Sequence, residues 1–332
     1  MKASVIGGGT WGSVFALHLG RLNIETQLWI REHDVYEETI RNRENTAFLP
    51  GFLFPPPVSF FHDIKKAASS TEIVFIAVPS KFSRRIYEQL APSLSSAQII
   101  VSLTKGIEKN SLKRMSEVME EVFSPLFTPR IAALSGPSFA LEVVQNHPTA
   151  VVVASKDLNL AKKIQHLISS VSFRAYTSKD IIGVELGGAL KNVIAIAAGI
   201  SDSLEFGNNS NAALVTRGIS EIKRLGIKLG ARMETFSGLA GIGDLVLTCT
   251  GKLSRNRYVG YQLGKEKTLA EIVSSMKMVA EGISTTLSAR QLAKREEVEM
   301  PISEQVYQVL YKNKNPKRAL QDLMSRKLKE EY

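Results

Sequence analysis

The stretch ASVIGGGTWGSVFALHLGRL, residues 3–22, decides how the chain begins to fold. An apolar run ends at Ile6, a G-x-G-x-x-G spacing follows, and an apolar helical pattern starts directly after it. In such a unit Gly7 permits the tight turn, Gly9 lets the backbone come close to a pyrophosphate, and Gly12 allows the helix to pack closely on the strand. The N–H groups at the helix start attract an anion. The stretch therefore predicts a dinucleotide-binding unit rather than a purely structural glycine turn.

Short apolar runs alternate with helix-like stretches through the first half of the chain. The runs occupy residues 3–6, 26–30, 73–78, 98–103, 131–134 and 149–154. Their nearly continuous apolar character is typical of strands buried on both faces, as in a parallel sheet covered by helices. The pattern predicts an α/β fold with a doubly wound, Rossmann-like parallel sheet and right-handed crossovers.

From about Ile181 onward, helical spacing replaces the strand pattern. In GVELGGALKNVIAIAAGI, residues 183–200, apolar side chains recur every three or four positions, as a buried helix face requires. A chain of 332 residues also has about the length of two domains. We therefore expect a dinucleotide-binding Rossmann domain over residues 1–180 and an all-helical substrate and catalytic domain over residues 181–332.

The composition argues against several function classes. A hydrophobic content of 44% and a charged content of 22% are those of an ordinary globular protein in water. The net charge of +10 divides into +4 over residues 1–183 and +6 over residues 184–332, so neither half is a basic arm. No zinc finger, RNP signature or long Lys/Arg tract is present. We expect no nucleic-acid partner and attribute the charge to attraction for anionic small molecules.

Membrane insertion, secretion and a protein-bound metal are not expected either. Residues 183–200 carry Glu185, Lys191 and Asn192, and a charge at bilayer depth costs about 3 kcal/mol. The first apolar run breaks at glycines too early for a signal peptide. Cys249 is the single cysteine, which favours a reducing, cytoplasmic setting. The five histidines lack metal-ligand spacing, so the predicted site contains no metal.

The end of the second strand bears on which dinucleotide is bound. An acidic residue about 20 residues after the glycines holds the ribose 2′-hydroxyl of NAD, whereas a basic residue accommodates the 2′-phosphate of NADP. Here Arg31 follows TQLWI, so we expect NADP(H) to be accepted and preferred. Two alternatives stay open: Glu32 serves a hydroxyl, or Arg31 is a solvated loop residue.

Lys191 is the candidate acid/base. It is the one lysine within the apolar segment 183–200, and a desolvated ammonium has a lowered pKa that suits proton transfer near neutrality. The alternative is a lysine whose stem packs on the helix while its head reaches solvent.

A second polar group lies between residues 236 and 257. Asp244 stands in a glycine-rich turn, and a carboxylate there can orient a lysine and hold its charge. Ser254, Arg255 and Asn256 come at a helix start, where such donors bind a phosphate. This group indicates a phosphorylated substrate, although a capped helix with a solvated basic face would have the same sequence.

Ten ordered segments together give the chain a resemblance to the NAD(P)-dependent glycerol-3-phosphate dehydrogenase family of the bacterial type. They span nearly the full length and are GGGTWG (7–12), NTAFLPGFLFP (45–55), VPS (78–80), SLTKGIE (102–108), LSGPSFALEV (134–143), GVELGGALKNVIAIAAGISDSLEFGNNSNAAL (183–214), TRGISE (216–221), FSGLAGIGDLVLTCT (236–250), SRNR (254–257) and VAEGISTT (279–286).

The resemblance implies reversible reduction of dihydroxyacetone phosphate to sn-glycerol 3-phosphate, a phospholipid precursor, with NADP(H) or NAD(H) as cofactor. By the same likeness, Lys191 is the general acid/base. The implied substrate contacts are Lys105, Gly136, Ser138, Lys191, Asp244, Ser254, Arg255 and Asn256. The implied cofactor contacts, besides the glycines of the turn, are Thr10, Trp11, Arg31, Lys105, Ala140, Arg255, Val279 and Glu281.

One departure from the family concerns the glycine turn, where relatives often have GAGSYG or GAGAWG. Gly8 in place of alanine, and Thr10 in place of a smaller residue, should loosen the turn but keep its N–H donors, which affects affinity rather than activity. The competing interpretations are another two-domain reductase, such as a ketopantoate or 2-hydroxyacid reductase, and a nicotinamide sensor without turnover. The apolar helical half leaves surface for a homodimer.

Overall fold

The computed structural model describes residues 1–276, 278–328 and 330–331. Lys277, Lys329 and Tyr332, which belong to the predicted second domain, lie outside the described residues. The described strands all end before residue 179, and from Ile181 onward the described elements are helical. The predicted fold class, a Rossmann-like α/β sheet followed by a helical region, is confirmed, while the division into two domains stays a prediction.

Eight strands form one sheet in the described chain. They are β1 (Lys2–Ile6), β2 (Glu25–Trp29), β3 (Val58–Phe61), β4 (Ile73–Ile76), β5 (Ile99–Ser102), β6 (Arg130–Ser135), β7 (Thr149–Ala154) and β8 (Phe173–Ser178). Their order across the sheet is β3-β2-β1-β4-β5-β6-β7-β8. The first six follow the 3-2-1-4-5-6 order of dinucleotide-binding sheets, in which the crevice between β1 and β4 is the ligand site.

The described residues also form fifteen α-helices. They are α1 (Thr10–Arg21), α2 (His33–Asn42), α3 (Ile64–Ala68), α4 (Ser80–Leu90), α5 (Met115–Phe123), α6 (Ala140–Val144), α7 (Leu158–Ile168), α8 (Ile181–Ser203), α9 (Gly207–Lys228), α10 (Asp244–Thr250), α11 (Arg255–Gly264), α12 (Leu269–Ser275), α13 (Glu281–Arg295), α14 (Pro301–Lys312) and α15 (Pro316–Met324).

Two strands were missing from the sequence-based prediction, and one pairing was wrong. β3 and β8 are the two edge strands: β8 begins with alternating buried and exposed positions, and β3 has one fully buried position, so neither shows a continuous buried run. β7 pairs antiparallel with β6, with Leu134 opposite Val153, and this overturns the expected all-parallel sheet. The connection between them contains one short helix, α6, and leads directly into β7 at the carboxyl edge of β6, without first crossing back over the sheet.

The sheet is buried on both faces, as the apolar runs predicted. Successive residues of β4 point to opposite sides: Phe75 packs with Phe15 and Phe173 in one apolar cluster, and Ile76 packs with Tyr87 in another. Because both faces are covered by helices, the strand ends are the part of the central sheet where polar side chains can meet a ligand. Function is therefore expected at the carboxyl edge.

Helix α8 is the centre of the helical region. It packs against α9, α10, α11 and α13. Its length and apolar composition would allow it to cross a membrane, yet 89% of its most apolar window is buried inside the fold, as in a core helix. Gly199 brings α11 close, since a Cβ there would lie 1.9 Å from the carbonyl oxygen of Arg257. This contact places the first turn of α11 beside the C-terminal part of α8.

Candidate active site

A cleft of about 590 Å³ opens at the carboxyl edge of the sheet and is closed on its other side by the helical region. The glycine turn after β1, Arg31 after β2, Pro79 after β4 and Lys105 after β5 all line it. At the usual strand spacing of 4.8 Å, the cleft extends about 14 Å from β2 to β5. It is therefore long enough to hold an extended ligand across the β1–β4 crevice.

The glycine turn has the conformation that its spacing predicts. Gly7 has a φ of +126°, and a Cβ on Gly12 would lie 1.9 Å from the carbonyl oxygen of Gly7. A Cβ on Gly9 would meet no described atom within 4 Å, so this residue faces open space. A Cβ on Gly8 would lie 2.8 Å from the Cγ1 atom of Ile30, so close packing on the end of β2 favours glycine there.

The start of α1 is suited to an anionic group. No described side chain caps this helix, whose N-cap is Gly9. The first-turn N–H groups of a helix have no intrahelical acceptor, and they point toward the cleft side of the turn. Together with the open position at Gly9, they fit the pyrophosphate of a dinucleotide.

Lys191 lies in the middle of α8 with only 6% of its surface exposed. Its Nζ atom donates to Asp244 Oδ1 at 2.5 Å and to Thr248 Oγ1 at 2.7 Å. Lys191 also lines the cleft, so its amine is withdrawn from bulk water but accessible to a bound ligand. This placement excludes the alternative in which the head of the lysine reaches solvent.

Asp244 holds a second lysine as well. Lys105 Nζ donates to Asp244 Oδ2 and to the carbonyl oxygen of Gly136, both at 2.8 Å. The carboxylate has no exposed surface and lies at the start of α10, one turn before Thr248 on the same helix face. One buried anion therefore orients two amines that both border the cleft.

The electrostatic balance at Lys191 favours an easily removed proton. Burial is the largest effect and, with the positive charge of Lys105, it lowers the pKa of Lys191 to about 8, while Asp244 acts in the opposite direction. An amine with this pKa is charged in most molecules at pH 7, and near pH 8 half of the molecules have lost the proton. The lowered pKa that the sequence analysis expects is therefore present, and its cause is desolvation.

Asn192 connects the lysine pair to the start of α11. Its Oδ1 atom accepts from Asn256 Nδ2 at 2.8 Å, and Asn256 Oδ1 accepts from the backbone N–H of Gly282 at 2.8 Å. Ser254 caps α11 by accepting from the N–H of Arg257. The N–H groups of Arg255 and Asn256 donate to no described group.

The far side of the cleft is joined to the sheet half by Glu281, the first residue of α13. Its two carboxylate oxygens accept from the N–H of Ser80 at 2.9 Å and from Ser80 Oγ at 2.6 Å. Burial raises the pKa of Glu281. Arg255 remains exposed at the rim of the cleft, near this carboxylate.

The structure brings nearly all of the sequence-predicted site residues to this one cleft. Those that line it are Gly7, Gly9, Thr10, Trp11, Arg31, Lys105, Ser138, Ala140, Lys191, Ser254, Arg255, Asn256, Val279 and Glu281. The other three support it from behind: Gly12 packs on the turn, Gly136 accepts from Lys105, and Asp244 holds the two lysines.

Asn192 and Thr248 were not singled out by sequence reasoning, although both border the cleft. Each had a sequence signal: Asn192 is a polar neighbour of Lys191 in an apolar helix, and Thr248 follows Asp244 by one helical turn. The apolar walls formed by Phe48, Phe82 and Leu253 had none, since they belong to three distant parts of the chain.

A glycine turn on a Rossmann-like sheet, facing a buried lysine on a helical region, defines the class of dinucleotide-dependent oxidoreductases that combine such a sheet with a helical region. Comparison with known proteins narrows this class. Sequence models described as NAD-dependent glycerol-3-phosphate dehydrogenase N-terminus and C-terminus match residues 2–161 and 180–321, respectively. The chain belongs to the NAD-dependent glycerol-3-phosphate dehydrogenase family.

Individual relatives agree over the whole length. The chain is 50% identical to a glycerol-3-phosphate dehydrogenase, NAD(P)+, from Koribacter versatilis, covering 98% of this chain and 97% of the relative. It is 50% identical to the protein of that name from Citrifermentans bemidjiense, covering 99% and 98%. A crystal structure of glycerol-3-phosphate dehydrogenase from Coxiella burnetii superimposes with a TM-score of 0.94 at 37% identity, covering 98% of this chain and 99% of that one.

Proposed function

We propose that this enzyme catalyses the reversible, NAD(P)H-dependent reduction of dihydroxyacetone phosphate to sn-glycerol 3-phosphate. Membership of the family and the names of its full-length relatives support this activity. The observation that carries the proposal is the buried carboxylate of Asp244, which holds the buried Lys191 and the partly buried Lys105, since both lysines border the same cleft as the glycine turn. A sensor that only binds a nicotinamide would need the turn but not this proton donor.

Lys191 is the proposed general acid of the reduction. The reduced dinucleotide, when bound, supplies the hydride that adds to the ketone carbon of the substrate. Negative charge then develops on the ketone oxygen, and the Lys191 ammonium stabilises this oxygen and donates a proton to it. In the reverse direction the neutral amine takes the proton from the hydroxyl of glycerol 3-phosphate.

Lys105 and Asp244 are proposed to support this step from either side. Lys105 adds a second positive charge next to the reacting oxygen, and the carbonyl oxygen of Gly136 fixes its ammonium. Asp244 keeps both amines in place without reaching the cleft itself. A charge held in position before the reaction costs no reorganisation when the alkoxide forms.

The start of α11 is proposed to bind the phosphate of the substrate. The N–H groups of Arg255 and Asn256 donate to no described group, and a helix N-terminus attracts an anion. The guanidinium of Arg255, which also lines the cleft, adds a charge-assisted donor, and Ser138 and Ser254 line the same cleft. Binding energy from the phosphate then holds the ketone against Lys191.

The cofactor positions proposed from the family also border this cleft. Thr10 and Trp11 begin α1 and offer its first-turn N–H groups, while Ala140 lines the cleft from α6, and Val279 and Glu281 line it from the loop before α13 and the start of that helix. We further propose a cytoplasmic homodimer, supported by the apolar helical half and by exposed side chains such as Val246 and Tyr258. Sedimentation of the purified protein would reveal the dimer.

The activity is tested by following oxidation of NADH and NADPH with three ketones. We expect turnover with dihydroxyacetone phosphate, at least a hundredfold lower kcat/KM with unphosphorylated dihydroxyacetone, and none with ketopantoate. A ketopantoate reductase from Ralstonia eutropha shares the fold alone, at 14% identity and a TM-score of 0.60. Turnover of ketopantoate without turnover of dihydroxyacetone phosphate would contradict the proposal.

A further inference from the structure

The end of β2 carries two opposite charges into the cleft. Arg31 and Glu32 follow β2 and both line the cleft. Arg31 Nε donates to Glu32 Oε1 at 2.9 Å, and Arg31 Nη2 bonds the same oxygen. The guanidinium that the sequence analysis assigns to a 2′-phosphate is therefore already paired.

Glu32 has its carboxylate turned toward the cleft rather than toward its own helix. It is the N-cap residue of α2, yet its side chain accepts no N–H of that helix. Its Oε2 atom accepts no hydrogen bond from any described residue. A free carboxylate oxygen at the end of the second strand is the acceptor that a ribose 2′-hydroxyl uses in NAD-binding sheets.

Arg31 has a second contact that does not involve a phosphate. Its guanidinium carbon lies 5.7 Å from the ring centre of Phe82, which lines the cleft on α4. The Nζ atom of Lys81 lies 4.6 Å from the centre of the same ring, but Lys81 does not line the cleft. A guanidinium that is paired with a carboxylate and lies within cation–π distance of an aromatic ring forms part of the wall of the cleft.

We propose that Glu32 makes this enzyme select NAD(H) over NADP(H), contrary to the preference expected from Arg31 alone. The carboxylate neutralises Arg31, offers its Oε2 atom to a 2′-hydroxyl and repels the negative charge of a 2′-phosphate. This inference rests on the proposed function only for the use of a nicotinamide dinucleotide. It concerns which of NADH and NADPH binds more tightly, and not the reaction that follows.

Equilibrium titration of the purified protein with NADH and NADPH, without substrate, tests the proposal. We expect the wild type to bind NADH more tightly, and Glu32→Gln to shift the ratio of the two dissociation constants toward NADPH by roughly tenfold, about 1.4 kcal/mol. Asp34→Asn is the matched control, because it removes the same charge from the same helix start at an exposed position outside the cleft. It should leave the ratio within about twofold.

Three results would overturn the inference. They are tighter binding of NADPH by the wild type, an unchanged ratio in Glu32→Gln, and an equal shift in Asp34→Asn. Failure of the proposed function would be distinct, since it would show as binding of NADH without turnover of dihydroxyacetone phosphate. A protein that binds neither dinucleotide would contradict both.

Discussion

Two buried carboxylates, one on α8 and one packed against it, pair with cations that lie in different places. Glu185, on the helix itself, accepts from Arg114 Nη1 at 2.6 Å and from the N–H of Ser116 at 2.7 Å. Asp244 accepts from Lys191 and Lys105. Both side chains are at most 5% exposed.

The difference lies in whether the partners reach the cleft. Arg114 and Ser116 do not line it, so the pair at Glu185 joins α8 to the start of α5 and has a structural role. Lys191 and Lys105 do line it, so the charge of Asp244 acts on groups that a ligand can touch. Burial of a carboxylate is therefore not by itself a sign of catalysis; the accessibility of its partners decides.

Replacing the amine on the cleft side should have the largest effect on turnover. Lys191→Ala removes the proposed general acid, and we expect kcat to fall by roughly 10²-fold to 10⁴-fold. Binding of NADH should stay within about threefold, because the glycine turn is unchanged. Steady-state kinetics with dihydroxyacetone phosphate and a separate NADH titration measure the two quantities. A variant with full kcat would remove Lys191 from the role.

Replacing the carboxylate on the structural side should affect stability instead. Glu185→Gln removes the buried anion that accepts from the Arg114 guanidinium and from the N–H of Ser116, which costs roughly 3 kcal/mol of unfolding free energy. Glu117→Gln is the matched control, since Glu117 pairs with the same arginine at 3.1 Å but is exposed, and it should cost under about 1 kcal/mol.

Urea unfolding of both variants measures these costs, and kcat per folded molecule should stay near that of the wild type. Equal destabilisation by Glu117→Gln, or a specific loss of kcat in Glu185→Gln, would contradict the structural assignment of Glu185.

The sequence allowed prediction of those features that depend on neighbouring residues. The G-x-G-x-x-G spacing determines the conformation of a single backbone turn, and Gly7 has the positive φ that this turn requires. The apolar periodicity of α8 also predicted a buried helix. Lys191 stood out because a single lysine in such a helix must find a partner.

Features that depend on distant residues were not predictable in the same way. The partner of Glu185 lies 71 residues earlier in the chain, and nothing local to either residue indicates the pair. The antiparallel pairing of β7 with β6 is likewise a tertiary feature, because the apolar run 149–154 would look the same in either strand direction. The pairing of Arg31 with Glu32 required coordinates, because adjacent residues on a chain often point apart.

The pH dependence of kcat/KM tests most directly whether the buried amine on Asp244 transfers the proton. In the wild type, kcat/KM for reduction should fall as pH rises through about 8, because the reaction needs the ammonium, and kcat/KM for oxidation should rise through the same range. Asp244→Asn removes the charge that raises the pKa of Lys191, so the fall in the reduction profile should move to lower pH by roughly one unit or more. Profiles that are flat from about pH 6 to about pH 10, or that coincide in the two proteins, would contradict the account.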